Sequence, residues 1–247
     1  MQQYQYDFCN FLANRGALQV RADLNPNGLL PPKPIVKKSR RNRPLIVDTS
    51  GLEDGYDLMM LGRTYAIAAN GYFKSEFEVI YGPARKGVPL AVVTAMKFWE
   101  GLLYSAKYCS IHKKRGRDGT ESYVQLGHHL QDGDRVVLVG DVPTARLPET
   151  VVRTLTLLKS VADVKVVGLL MAFDPMERGQ NNQMTVLEEI TDKYDIPAHA
   201  IVTMQEVIGY LRSTYKMGNE LWDALLDYYA KYGPTGIVER WLTPGTN

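Results

Sequence analysis

VVLVGDVPTARLPETVVRTLTLL, Val136 to Leu158, carries the pattern from which the fold is read. Val136 to Val139 are apolar without a break, as in a short strand covered on both faces. The run stops at Gly140, Asp141 and Pro143, and LPETVVRTLTLL from Leu147 continues as a helix. A strand, a turn of small residues and a helix start form an anion cradle. Several N–H groups point to one place there, and the helix dipole favours negative charge. Thr144 can add a hydroxyl. Asp141 can accept from sugar hydroxyls or hold a metal through water. From this stretch alone an ordinary strand-to-helix turn with an Asp cap is the readier reading.

Outward from the cradle the alternation repeats. FEVIYGPARKG is a strand running into a Gly-Pro turn, and VPLAVVTAMKFWEGL is the helix after it. LYSAKYCSI reads as a strand and HKKRGRDGTES as a polar, Gly-broken, mobile stretch. VKVVGLLMAFD is a long apolar strand, NQMTVLEEITDKYD a helix with an acidic face, and AHAIVTM a last strand. QEVIGYLRS and NELWDALLDYYAKYG are closing helices. On the N-terminal side, Tyr6, Phe8, Phe11 and Leu12 make an amphipathic helix that stops near Gly16. NPNGLLPPKP is a loop and PLIVDTSG a short strand and turn. DGYDLMMLGRTYAIAANGYF is a helix with Leu58, Leu61, Tyr65 and Ala68 on one face. Strands alternating with helices predict a mostly parallel sheet covered on both faces, with ligands at the carboxyl ends of its strands. The loops after Tyr81, Val139 and Phe173 then converge.

The chain has 247 residues, enough for one generous domain with a core of its own. With 29 Lys and Arg against 27 Asp and Glu, a net charge of +2 does not point to a general nucleic-acid binder. Two basic runs, KPIVKKSRRNR and HKKRGR, read either as solvated loops or as anion sites. Cys9 and Cys109 are too few for a disulfide framework and suit a reducing compartment, with Cys9 buried on a helix face. No stretch spans a membrane and the N-terminus lacks a signal-peptide pattern, so the expectation is a cytoplasmic protein. His128 and His129 are adjacent, which suits a turn better than a zinc site.

Three strand ends carry the remaining chemistry. YGPARKG places Arg85 and Lys86 on a tight turn, suited to a pyrophosphate or simply solvated. DPMERG presents Arg178, whose fork suits a planar carboxylate, or which pairs with Glu177 or Asp174 as an ordinary surface arginine. YDFCNFLANRGALQV, LMMLGRTYA, FEVIYGPARKGVPLA, DRVVLVGDVPTAR, MAFDPMERG and AIVTMQEVIGYL together, in this order, resemble the orotate phosphoribosyltransferases over nearly the whole chain. The resemblance implies a type I phosphoribosyltransferase fold: one α/β domain over 1–247, with a central mostly parallel sheet flanked by helices. A small hood is drawn from about 1–50 and 204–235. The implied reaction joins orotate to phosphoribosyl pyrophosphate, with Mg²⁺ held mainly through the pyrophosphate, giving orotidine 5′-monophosphate and pyrophosphate. It also implies a homodimer in which a mobile loop of one subunit reaches the other's site.

By the same resemblance, Lys86 and Arg85 belong to the pyrophosphate loop, and Asp141, Thr144, Ala145 and Arg146 to the phosphoribosyl cradle. Arg178 holds orotate. Lys38, with Lys37 as competitor, matches the lysine that meets both substrates, and Lys113 the lysine of the mobile loop. Lys113, Asp141 and Lys86 are the catalytic candidates, and no residue is assigned as a protein metal ligand.

Some positions depart from the family. Gly140 stands where the cradle has its first acid, and Arg146 where it has a glycine. His112, Gly116 and Asp118 replace basic loop residues, and Leu45, Ile46 and Val47 replace an aromatic pair. A long loop over 22–36 replaces a short connection. These departures leave open a slower enzyme and a transferase with another planar acceptor. They also leave open a catalytically impaired relative that binds nucleotide, phosphoribosyl pyrophosphate or nucleic acid as a regulator.

Overall fold

The computed structural model describes all residues except 26–29, 31–40, 75, 84–85, 116–120, 144–145, 216 and 243–247. Most of the Pro-rich loop, Lys37 and Lys38 therefore lie outside the described residues. In chain order the elements are α1 (Gln3–Asn14), β1 (Leu18–Val20), β2 (Leu45–Val47), α2 (Gly55–Phe73), β3 (Val79–Tyr81) and α3 (Gly87–Leu102). There follow β4 (Lys107–Arg115), β5 (Glu121–Gly127), β6 (Arg135–Gly140), α4 (Leu147–Lys159), β7 (Lys165–Asp174) and α5 (Val186–Tyr194). The chain closes with β8 (Ala198–Thr203), α6 (Met204–Tyr215), α7 (Asn219–Tyr232) and α8 (Ile237–Leu242).

Local chemistry sets several of these boundaries. Asp54 and Asp57 form a reciprocal capping box at the start of α2, and Thr185 and Glu188 do the same for α5. The second box starts α5 later than the sequence reading, which began the helix near Asn182. Leu103, at φ 52°, closes α3 in the left-handed region.

The main sheet runs β5-β4-β3-β6-β7-β8, parallel throughout except for β4 against β5. The mostly parallel sheet is as expected, but β5 is a correction. HKKRGRDGTES is not a mobile stretch throughout: His112 to Arg115 belong to β4, Glu121 and Ser122 to β5, and the two strands pair antiparallel. β1 and β2 form a separate antiparallel pair. Neither β1 nor α8 was read from the sequence.

Alternation along the strands builds two cores. Val137 and Val139 pack with Ile80, Leu170 and Ala172 on the face covered by α1, α2, α3 and α6. Val136 and Leu138 pack with Val79, Leu169 and Met171 on the face covered by α4 and α5. Four apolar residues in a row are thus a strand buried on both sides. Cys9 and Cys109 are both buried free thiols, and burial pushes Cys9 up to about 12. His128 Nε2 lies 2.8 Å from Asp134 Oδ2.

β3 neighbours β4 on one side and β6 on the other, so the strand order reverses between β3 and β6. The helices that follow them diverge: α3 packs into the first core and α4 into the second. A crevice opens at such a point, at the carboxyl ends of the strands.

Candidate active site

The turn after β3 is held closed by glycines. A Cβ on Gly82 would fall 1.9 Å from the Gly87 carbonyl oxygen, and one on Gly87 would fall 2.6 Å from Pro83 Cδ. Only a residue without a side chain fits either place. The tight turn delivers Lys86 to the crevice, where its Nζ donates to Asp141 Oδ2 at 2.9 Å. The Thr49 hydroxyl, just past β2, donates to Asp141 Oδ1. One carboxylate therefore ties together the loop after β3, the loop after β6 and the segment after β2. Lys86 is 55% exposed and Asp141 24%. In such a setting the ion pair contributes about 1 kcal/mol or less, and a more highly charged ligand can displace it.

The strand beneath Asp141 is fixed from α2. The buried Tyr65 hydroxyl donates to the Gly140 carbonyl at 2.5 Å. Burial, reinforced by the charge on Asp141, pushes the Tyr65 phenol well above its ordinary pKa, so it stays a donor. Met171 of β7 fills the volume beside Gly140, and a Cβ on Gly140 would lie 2.7 Å from its sulfur. The altered cradle position is a packed position.

The third strand end turns sharply. Asp174 Oδ1 accepts from the Met176 N–H at 2.8 Å, and Met176 sits at φ 52°, rare for a residue with a side chain. Burial pushes Asp174 up to about 7. Beyond the turn, buried Glu177 accepts from Arg41 at 2.5 Å, from Arg43 at 2.6 and 3.0 Å, and from the Tyr228 hydroxyl at 2.7 Å. Burial opposes its charge, but Arg43, Tyr228 and Arg41 hold the carboxyl below its usual range. Desolvation likewise opposes the Arg43 charge, and Glu177 outweighs it. Arg43, Glu177 and Tyr228 border a shallow hollow, whose other walls include Leu45, Val47, Phe173, Pro175 and Tyr229. Leu45 and Val47 lie where the resemblance led to the expectation of rings. The rings come instead from β7 and α7.

Of the residues expected from the sequence, Lys86 and Asp141 meet. Lys38, Arg85, Thr144 and Ala145 lie outside the described residues. Arg146 is exposed and stands directly before α4, whose first turn has no side-chain cap. Arg178 is half-buried. Its backbone is pinned by an N–H bond to the Tyr232 carbonyl at 2.9 Å and by a bridge to Thr185. Its side chain pairs with neither Glu177 nor Asp174, since Glu177 is taken by Arg41 and Arg43. The basic run before β2 is therefore neither a plain solvated loop nor an open anion site at those two arginines. Lys113 is exposed on β4, opposite Tyr123. Glu177 was read only as a candidate partner of Arg178, and Thr49, Tyr65 and Tyr228 were not foreseen as site residues. They reach the site from elements far apart in the chain, and no local spacing marks them.

No protein-family model matches the chain. Curated proteins do. It is 36% identical over 238 residues to an orotate phosphoribosyltransferase of Clostridium beijerinckii, covering 94% of this chain and 99% of that one. It is 35% identical, with the same coverage, to one of Lachnoclostridium phytofermentans. Among solved structures, the orotate phosphoribosyltransferase of Francisella tularensis superposes with a TM-score of 0.71 over 92% of this chain and 99% of that one. The identity is 20%, so this likeness speaks for the fold. Identity of this extent over almost the full length, on a sheet that brings Lys86 to Asp141, places the chain in the orotate phosphoribosyltransferase family.

Proposed function

We propose that the protein transfers the phosphoribosyl group of phosphoribosyl pyrophosphate to orotate, releasing pyrophosphate and forming orotidine 5′-monophosphate. The observation that carries this reading is the meeting of Lys86 and Asp141 across the crevice, in a chain of this family. As substrate enters, Lys86 leaves Asp141 for the pyrophosphate, and Asp141 turns from an ion pair to accepting hydrogen bonds from sugar hydroxyls. The uncapped start of α4, beside Arg146, faces the 5′-phosphate through backbone N–H groups. The Arg178 fork takes the orotate carboxylate. The bond from the sugar to pyrophosphate breaks with its electron pair leaving on the pyrophosphate, and the orotate ring nitrogen gives up its proton to solvent and supplies the new bond to the sugar carbon. Lys86 and Lys113 stabilise the charge that grows on the leaving group.

The donor set suits a Mg²⁺ carried in by the substrate. Among the described residues no three His, Cys, Asp or Glu side chains gather as a cage, and Asp141 offers one carboxylate beside the phosphates. Bound there, the ion would neutralise pyrophosphate charge.

Two observations support a homodimer. β4 continues four residues past Cys109, the partner of the last residue of β3, to reach Lys113. At ~3.3 Å per residue this carries Lys113 ~13 Å past the end of β3, on a β4–β5 hairpin that offers an extended arm to a second subunit. On α3, Met96, Trp99 and Leu102 are exposed and apolar, with Leu103 following. Sedimentation at micromolar concentration tests this, and a monomer at all concentrations rejects it. The hood remains assigned to about 1–50 and 204–235. Among the described residues no helix is long and apolar enough to cross a membrane, and the cytoplasm remains the proposed location.

The test of the activity is the loss of orotate absorbance with phosphoribosyl pyrophosphate and Mg²⁺. Turnover that vanishes in Lys86→Ala supports the reading. Ligand binding without turnover in the wild type rejects it and points to the impaired, regulatory relative.

A further inference from the structure

We infer that Glu177 is a positioning residue for the orotate side of the site, acting through Arg178 and through Arg41 and Arg43, of which Arg43 lines the hollow. The inference rests on the proposed transferase reading. A carboxylate 6% exposed at the end of a sheet strand is costly unless it is fully paired. Here it receives four hydrogen bonds from two arginines and a tyrosine. Those partners come from two remote parts of the chain. Arg41 and Arg43 precede β2, and Tyr228 lies in α7. Arg41 also lies over the Tyr232 ring at 4.8 Å, and the Tyr232 carbonyl accepts from the Arg178 backbone N–H. Glu177, Arg41, Tyr232 and Arg178 thus form a closed circuit around one turn.

The turn gives the circuit its purpose. Met176 is held at φ 52° by the Asp174 side chain, and Glu177 and Arg178 follow directly. A left-handed residue with a side chain persists only where its surroundings hold it. The Glu177 clasp is on one side of this backbone and the Arg178–Thr185 bridge is next to it. By engaging both guanidinium groups, Glu177 also offsets one of their two positive charges and fixes their forks, which weakens their competition with Arg178 for an incoming carboxylate. The consequence falls on one substrate. Lys86, Asp141 and Thr49, which face the sugar and pyrophosphate, share no hydrogen bond with the clasp.

Steady-state kinetics of the full chain test this. Glu177→Gln keeps the shape but replaces one acceptor oxygen with a donor that faces a guanidinium. The KM for orotate should rise about 10–100-fold, the size expected when a charge-assisted contact is misplaced. The KM for phosphoribosyl pyrophosphate should stay within about twofold, and kcat should change less than the orotate KM. Tyr228→Phe removes only one of the four bonds and serves if Glu177→Gln does not fold. It should raise the orotate KM about 3–10-fold with the same selectivity. An unchanged orotate KM in a folded variant overturns the inference, and so does an equal rise for both substrates, which marks a merely structural group. Absence of turnover in the wild type would instead defeat the transferase reading.

Discussion

Gly140→Asp puts a second carboxylate at the cradle position where the family resemblance led to the expectation of one, and the structure sets its cost. Gly140 ends β6 without a positive φ, so the backbone accepts a side chain. The new Cβ would meet Met171 at 2.7 Å from the sulfur and 2.9 Å from the terminal methyl. Both atoms are at the free end of a flexible side chain that can swing away, so the clash falls at the low end of the ~1–3 kcal/mol typical of overpacking. Removing a glycine from the unfolded ensemble returns roughly 0.5–1 kcal/mol. A net loss of no more than about 0.5 kcal/mol lowers Tm by about 1–2 °C in a protein of this size. On the other side, a carboxylate that accepts from a sugar hydroxyl contributes about 1.5–3 kcal/mol, or 10–100-fold in Kd. Calorimetry with phosphoribosyl pyrophosphate and Mg²⁺ reads the affinity, and a thermal melt reads the cost. Adding Met171→Val should recover Tm and keep the tighter binding. If the double variant melts normally and binds no more tightly than wild type, the site does not contact the sugar diol through position 140, and the reasoning fails.

The Lys86–Asp141 pair is exposed, so Lys86→Ala should shift Tm by no more than about 2 °C while turnover falls about 10²–10³-fold; a large drop in Tm with a small loss of rate would make the lysine structural. Arg178→Ala should abolish measurable orotate binding in calorimetry and leave phosphoribosyl pyrophosphate binding intact; retained orotate affinity would remove Arg178 from the assignment. Asp174 sits at about 7 in the folded protein, against an ordinary value near 4 in the unfolded chain. Between those values the unfolded chain ionises while the folded one stays protonated, so this group's stabilisation is complete below pH ~4 and is lost as pH rises to ~7. Asp174→Asn keeps an acceptor for the Met176 N–H and should flatten that slope, by at most about 4 kcal/mol at pH 8. Parallel stability curves for the two proteins from pH 4 to 8 would refute this.

How far the sequence could be read depended on the range of each interaction. The strand from Val136 to Val139 was legible because burial on both faces leaves a local trace, an unbroken apolar run. The converging loops were legible because parallel strands joined by helices put all carboxyl ends on one edge. β5 was not. Its exposed residues, Tyr123, Val124 and Leu126, alternate poorly, and an edge strand paired on one side bears little burial pattern. α5 began late for a local reason that could have been seen, the Thr185–Glu188 capping box.

The site divides along the same line. Lys86 and Asp141 stand in turns whose small residues announce them, whereas Glu177 looks from its neighbours like a surface partner for Arg178. Its real partners stand 136, 134 and 51 residues away, and no spacing rule links them. The departures that made the cradle look eroded have the same explanation in reverse. Gly140 lost a carboxylate but left no void, because Met171 occupies the volume, and Tyr65 still anchors the strand end. Thr49 holds the remaining carboxylate on the side opposite Lys86. The aliphatic Leu45 and Val47 face a hollow whose rings have moved to Phe173, Tyr228 and Tyr229. A position read singly records what it lacks. Its replacement lies on another element, so a substitution that looks like decay in the sequence must be judged against what packs on it.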